Sequence, residues 1–334
     1  MSRPDGYAAP DAAAAVPPTP ADVLAAAARL APWVRETPLV PAPGTGVWLK
    51  AENLHPTGSF KLRGAFNAML ALAPEAARAG VVAHSSGNHA MAVAYAAARL
   101  GLSATVVMPS DAPAAKVDGV RRWGAEIVRV GPASAERAAA AQAIAWREGR
   151  ALIEPYDAAA IIAATGVIAH EIVAALPDVA EVYVPVSGGG LLAGVALAMA
   201  ALRPEARVIG VEPEVAADAA LSFRTGRLVE LPAEQMALTC ADGLRVQRLG
   251  DLNWRVLQGL VDTVTTVSEA EIRHAMRRLA RETRLVAEPS GAVAPAAAFR
   301  AAPAGRPRVA VLSGGNLDMA EYARVLAGGQ DDIA

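Results

Sequence analysis

The residues best placed to do chemistry lie in Thr57-Gly58-Ser59-Phe60-Lys61-Leu62-Arg63-Gly64-Ala65. Two small polar residues and a glycine lead into a lysine, and an amphipathic run with Phe66, Met69 and Leu70 follows. Gly58 permits a tight turn. Ser59 is the expected N-cap of a helix running from Phe60. Lys61 then sits in the first turn, where orphan amides and the positive helix end are expected to depress its pKa. A lysine with a lowered pKa is suited to Schiff-base formation. Taken alone, the stretch reads more readily as a surface helix start with a solvated lysine. Its chemistry depends on what the rest of the chain brings beside it.

Four further loops carry candidate groups. His84-Ser85-Ser86-Gly87-Asn88-His89 offers hydroxyls, a carboxamide and helix-start amides, which suit a carboxylate; it reads equally as an ordinary N-cap. Its two histidines have no third metal ligand at a usual spacing. Ser187-Gly188-Gly189-Gly190-Leu191 lets backbone N–H groups converge on an oxyanion, as a phosphate cradle does. It matches neither the Walker pattern nor the dinucleotide G-x-G-x-x-G pattern. Glu212 and Asp218 share one short loop and could hold a hard cation, or be solvated acids. Ser313, in Leu312-Ser313-Gly314-Gly315-Asn316, could hydrogen-bond a ring nitrogen, or mark a plain strand-to-helix turn. A lysine, a phosphate cradle, a ring-nitrogen partner and a carboxylate site together form the set that pyridoxal 5'-phosphate and an amino-acid substrate require.

These loops need strands and helices to position them. Short β-branched runs alternate with Ala-rich helical stretches. Strands are expected at Val47–Lys50, Val81–His84, Ala104–Met108, Ile127–Val130, Val182–Val186, Val208–Val211, Val264–Val267 and Val309–Leu312. Helices are expected at Ala21–Leu30, Ala90–Leu100, Ala114–Trp123, Ala135–Arg147, Ile161–Leu176, Leu191–Leu202, Glu269–Thr283, Gly291–Phe299 and Asn316–Leu326. The alternation implies βαβ units in an α/β fold with two parallel sheets, one before about Gly149 and one after it. Ligands in such sheets bind beyond the carboxyl ends of strands, which is where the polar loops fall.

Composition narrows the partners. Of 334 residues, 54% are hydrophobic and 19% charged, which fits a well-buried globular protein. The net charge of -2 is mixed along the chain, with no basic arm for nucleic acid. The single cysteine, Cys240, excludes an internal disulfide framework, fits a reducing, cytoplasmic compartment, and reads as a packing residue. Residues 1–20 lack the organisation of a secretory signal and read as a flexible N-terminal extension. The uncharged run Val182–Leu202 is broken by Pro185 and Gly188 to Gly190, so no membrane span is expected.

The motifs Thr-Gly-Ser-Phe-Lys, Ser-Ser-Gly-Asn-His and Ser-Gly-Gly-Asn occur here in one order, each at a strand-to-helix loop. From about Arg35 to about Tyr322 the sequence resembles the serine/threonine dehydratase and serine racemase family of fold-type II (tryptophan-synthase-β-like) pyridoxal-phosphate enzymes. The resemblance implies a large cofactor-binding domain from residues 21–50 and 150–334, with a small domain at 51–149. It implies that Lys61 is the Schiff-base lysine and base, with Phe60 packed at the cofactor and Asn88 on its phenolic oxygen. Ser187, Gly188, Gly189, Gly190 and Leu191 would bind the phosphate, and Ser313 would meet the pyridine nitrogen. Gly243 and Glu288 match positions near the cofactor. Ser85, Ser86, Gly87, Asn88 and His89 would hold the substrate carboxylate, with Arg137 matching an arginine linked to substrate binding. Ser86 matches the acid/base that racemase-like members use on the opposite face. Glu212, the Ala216 carbonyl and Asp218 match a divalent-cation site of such members, for magnesium or a similar ion. Ser187 replaces a frequent glycine, Met91 a frequent glutamine, and Ala164-Thr165-Gly166-Val167 a frequent Gly-Gln-Gly-Thr, departures that bear on the substrate pocket.

The expected activity is β-elimination from a β-hydroxy amino acid such as L-serine or L-threonine. Serine racemisation and 3-hydroxyaspartate dehydration are the alternatives, and a pyridoxal-phosphate-fold small-molecule sensor is the non-enzyme one. A homodimer is the family expectation. A C-terminal regulatory domain is not expected, because the chain ends soon after its last helix.

Overall fold

The computed structural model describes residues 15–85, 87–112, 114–131, 133–302 and 305–328. Its strands are β1 (Leu39–Ala42), β2 (Val47–Ala51), β3 (Val81–His84), β4 (Ala104–Pro109), β5 (Glu126–Val130), β6 (Ala151–Leu152), β7 (Glu181–Pro185), β8 (Arg207–Pro213), β9 (Thr263–Val267) and β10 (Arg308–Leu312). One sheet has the order β1-β2-β10-β7-β8-β9, the other β5-β4-β3-β6. Every pairing is parallel except β1 with β2. Strand runs such as Val106-Val107-Met108 and Val309 to Leu312 are wholly buried, as parallel strands covered on both faces must be.

The sheets do not divide at Gly149 in the way the alternation alone implies. β1 and β2 come early in the chain, yet join β10 with Leu312 opposite Ala51. β6 comes after Gly149, yet pairs with β3. Pairing, which strand spacing cannot reveal, decides membership. The result brings the end of β2 next to the end of β10, and so the lysine loop next to Ser313.

Three helix expectations need correction. The lysine helix spans Lys61–Leu70 with Phe60 as its N-cap and no side-chain cap, so Ser59 does not cap it. Ser59 is instead buried in a bridge to Gly314. The helix from Glu269 stays α-helical only to Arg278; Leu279–Thr283 is a π turn, ended by Arg284 in the left-handed region (φ 62°). The last helix begins at Met319, because the Asp318 carboxylate caps the amides of Ala320 and Glu321. That leaves Asn316 in the loop. No described helix is long and apolar enough to cross a membrane. Most of the proposed N-terminal extension, residues 1–14, lies outside the described residues. Thr19 and Asp22 form a capping box at the helix Pro20–Leu30.

Candidate active site

The candidate groups gather at the carboxyl ends of β2, β3, β6, β7, β8 and β10. Gly58 holds φ +71°, and a Cβ there would come within 2.3 Å of the Asn316 side chain. A glycine is therefore required twice over, by conformation and by space. The Phe60 amide donates to the Ser313 carbonyl (3.1 Å) and the Gly315 amide to the Gly58 carbonyl (2.9 Å), which ties the lysine loop to the loop after β10.

Lys61 is partly buried, and its Nζ donates to the Pro155 carbonyl (2.6 Å). Burial pulls the amine pKa down to about 8. The depression expected from the helix end is present in direction, but desolvation is its cause. The Phe60 ring lies beside the amine, its centroid 5.1 Å from Nζ.

Pro155 and Tyr156, which follow β6, connect the lysine to the glycine loop. A Cβ on Gly188 would meet the Tyr156 ring at 2.4 Å, and one on Gly190 would meet the Tyr156 carbonyl at 2.6 Å. Gly189 N-caps the helix Gly190–Leu202 with no side-chain bond to its first turn. Its first-turn amides thus have no capping side chain, as an anion cradle at a helix start needs. The Ser187 hydroxyl accepts from the Val246 amide (3.4 Å), which leaves its proton available. Leu191 is buried behind the loop. Sequence reasoning passed over Pro155 and Tyr156 because β6 has only two residues, too short to register as a strand.

Across the site, Asn88 opens the helix Asn88–Leu100 and donates to the buried Glu288 carboxyl (2.6 Å). Burial, reinforced by the charge of Asp242, pushes the Glu288 pKa up to about 8. The Gly243 amide donates to Ser290 Oγ (2.9 Å), and Lys116 forms an ion pair with Asp242. That pair, between the helix Ala114–Arg121 and the turn Asp242–Leu244, carries no sequence signal. Ser313 is buried, with its hydroxyl 3.5 Å from the Ser290 carbonyl.

The Gly87 amide donates to Ser85 Oγ (3.2 Å), and Gly87 caps the helix without a side chain. His89 turns inward: its Nε2 lies 2.9 Å from the Ile153 carbonyl, so that nitrogen carries the proton. Burial, then the charge of Lys61, drive its pKa to about 3, so the ring is neutral and can offer a carboxylate no charge. Arg137 lies close enough to His84 to add to the burial that lowers the histidine pKa. Ser86 lies outside the described residues.

Glu212 lies within β8 rather than in the loop after it, and is wholly buried. It accepts from the amides of Ala219 (3.1 Å) and Ala220 (2.7 Å). Asp218 starts the helix Asp218–Thr225 and is equally buried; neither of its carboxylate oxygens has a hydrogen-bond partner among the described residues. Ala216 is buried in the turn between them. Burial raises both pKa values, Asp218 to about 7, and the Asp218 charge adds to the rise at Glu212. No group of three or more His, Cys, Asp or Glu side chains placed for a metal occurs among the described residues.

The departures from the motif pattern have structural roles. Thr165 Oγ1 donates to the Gly190 carbonyl (2.8 Å), so it braces the glycine loop from the helix Ala159–Ala175. Met91 packs where a Cβ on Gly119 would stand 2.8 Å from its sulfur. The Cys240 thiol is pushed up to about 12, chiefly by burial, which leaves it a poor nucleophile.

Residues 30–314 match the family described as pyridoxal-phosphate dependent enzyme. The L-threo-3-hydroxyaspartate ammonia-lyase of Saccharomyces cerevisiae is 38% identical over 322 residues, 94% of this chain and 98% of that protein. The catabolic L-threonine dehydratase of Escherichia coli is 41% identical over 283 residues, 84% of this chain and 85% of that protein. The solved structure of maize serine racemase aligns with a TM-score of 0.88 at 35% identity, covering 92% of this chain and 97% of that one.

Proposed function

The chain belongs to the pyridoxal-phosphate-dependent enzyme family, and from that premise we propose that it catalyses β-elimination from a β-hydroxy amino acid, releasing a 2-oxo acid and ammonia. The residues fit the cofactor: a partly desolvated lysine of lowered pKa for the aldehyde, uncapped helix-start amides for the phosphate, and Ser313 and Asn88 for the ring nitrogen and phenolic oxygen. Bound pyridoxal phosphate supplies an electron-withdrawing ring conjugated to the substrate Cα. Lys61 takes the Cα proton, with the Pro155 carbonyl directing its Nζ. Lys61 then gives that proton to the departing β-hydroxyl, which leaves as water, and the released enamine tautomerises to an imine that takes up one water to give the 2-oxo acid and ammonia.

The observation that carries this reading is the contact of Ser313 with the lysine loop, through the Phe60 amide. A serine hydroxyl, unlike an aspartate, does not hold a ring nitrogen protonated. Negative charge at Cα is then less deeply delocalised, and loss of the β-substituent competes well. The similarity to the yeast 3-hydroxyaspartate enzyme and the nearness of Arg137 to His84 favour an acidic β-substituent among the candidates.

A second reading, racemisation, draws on Ser86 in the sequence and on the likeness to maize serine racemase. One assay separates the two. Purified holoenzyme is given L-serine, L-threonine and L-threo-3-hydroxyaspartate in turn, and both 2-oxo acid and the other Cα epimer are measured. Elimination predicts 2-oxo acid in excess for at least one of them; the opposite epimer without 2-oxo acid would overturn it in favour of the racemase.

Glu212, Asp218 and the Ala216 carbonyl would hold a divalent cation, with water completing the shell. The support is physical: two buried carboxylates repel, and Asp218 has no donor of its own. Because both folded pKa values are raised, the cation-free protein loses stability as pH rises from about 4 towards 7. A cation must displace the retained proton, so its stabilising effect grows over the same window. The expected result is a rise in melting temperature with magnesium, calcium or manganese that is larger at pH about 8 than at about 5. Melting temperature and activity unmoved by chelation at the higher pH would count against the site.

A further inference from the structure

Ser313 has a part in the proposed chemistry; Asn316, three residues on, takes no direct part in it. Its Nδ2 carries two hydrogens, and both are engaged. One goes to the Thr57 carbonyl (2.7 Å) and the other to Asn88 Oδ1 (2.8 Å). Its Oδ1 fills the space above Gly58. Asn316 is therefore lodged between the lysine loop and the start of the helix Asn88–Leu100.

A carboxamide turned end over end keeps nearly the same shape, so packing alone does not fix its polarity. Here a backbone carbonyl does. Thr57 C=O can only accept, so the amino end of Asn316 must face it. That amino end then faces Asn88, whose carbonyl must turn towards Asn316. The Asn88 amino group is left to face Glu288 (2.6 Å) and the cofactor side. Glu288 cannot set this polarity, since with its pKa near 8 it can accept or donate at neutral pH. We propose that Asn316 is a positioning residue that fixes the orientation of the Asn88 carboxamide, so that Asn88 presents an N–H, not a lone pair, to the phenolic oxygen of the cofactor. This rests on the reading that Asn88 meets that oxygen. An N–H donated to a phenolate favours its ionised form, and a carbonyl in the same place disfavours it.

Asn316→Asp tests the relay, because it replaces the donor by an acceptor of the same shape. Asn88 must then turn its amino group towards residue 316 and its carbonyl towards the cofactor. In the reconstituted holoenzyme, the pH midpoint of the visible cofactor band is expected to rise by about one unit or more, and cofactor affinity to fall about tenfold. Asn316→Ala, which removes the donor without adding charge, is expected to shift the midpoint the same way by less, and serves if the aspartate variant does not fold. The new charge alone would also raise the midpoint, so both substitutions are repeated in an Asn88→Ala background. There the shift is expected to shrink to the direct charge effect. A midpoint unmoved in both folded variants, or a shift undiminished without Asn88, would overturn the proposal. Wild-type protein with no Lys61-dependent band would instead overturn the cofactor reading beneath it, a result distinct from a normal band with an unmoved midpoint.

Discussion

Lys61→Ala is expected to remove the visible absorbance of the bound cofactor and to slow 2-oxo acid release by about four orders of magnitude. Two roles are lost together, the covalent hold on the cofactor and the base at Cα. Burial of Lys61 matters because only the neutral amine attacks an aldehyde. An ordinary lysine near pH 8 is neutral in under about 1% of molecules, whereas one with a pKa of about 8 is neutral in about half. The rate at which the apoprotein takes up the cofactor should therefore climb with pH and level off just above that value. Uptake that keeps rising steeply to about pH 10 would mean that the amine is solvated.

Arg63→Met is expected to destabilise the fold by about 3–5 kcal/mol, the cost of leaving a buried charge without its partner. Arg63 is 1% exposed and makes two bidentate pairs. Its Nε and Nη2 each lie 2.8 Å from Glu52, and its Nη1 and Nη2 lie 2.6 and 2.7 Å from Glu171. Lys50 joins Glu171 at 2.5 Å, and Thr37 donates to Glu52 at 2.6 Å. Two cations thus balance two anions across β2, the turn after it, the lysine helix and the helix Ala159–Ala175. Burial alone would raise the Glu52 pKa, but Arg63 and then His55 more than offset it and hold the carboxyl well below its usual range. A depressed carboxylate stabilises fully above its unfolded value and loses that contribution as pH falls. The penalty of Arg63→Met should accordingly be full above about pH 5 and shrink below it. Adding Glu52→Gln should recover much of the lost melting temperature, because Lys50 and Glu171 remain as a pair. No recovery in the double variant would show that packing around Arg63, not charge balance, carries the effect.

The parts legible in the sequence are those whose residue types are unusual for their place. A lysine after Thr-Gly-Ser, three glycines after a β-branched run, and a Ser-Gly-Gly-Asn turn mark positions that the structure brings to the ends of parallel strands. The buried ion network was not legible. Lys50, Glu52, Arg63 and Glu171 look like ordinary surface charges, and only tertiary packing takes them out of water. The site of Ser59 misled for a related reason. A serine before a helix favours capping, but the bridge to Gly314 takes up its backbone and places its side chain inside. Pro155 and Tyr156 escaped notice because a two-residue strand has no period to detect. Asn316 read as a helix start because nothing local shows that Thr57 and Asn88, both remote in sequence, converge on its amide.

The stoichiometry of the reaction tests the proposed elimination most directly. Holoenzyme and its Lys61→Ala variant are incubated with L-threo-3-hydroxyaspartate, L-serine or L-threonine, and 2-oxo acid and ammonia are measured in the same sample. Equal amounts of the two are expected from at least one substrate, at a rate that disappears with Lys61. Absence of 2-oxo acid from all three, in protein that shows the lysine-dependent cofactor band, would contradict it.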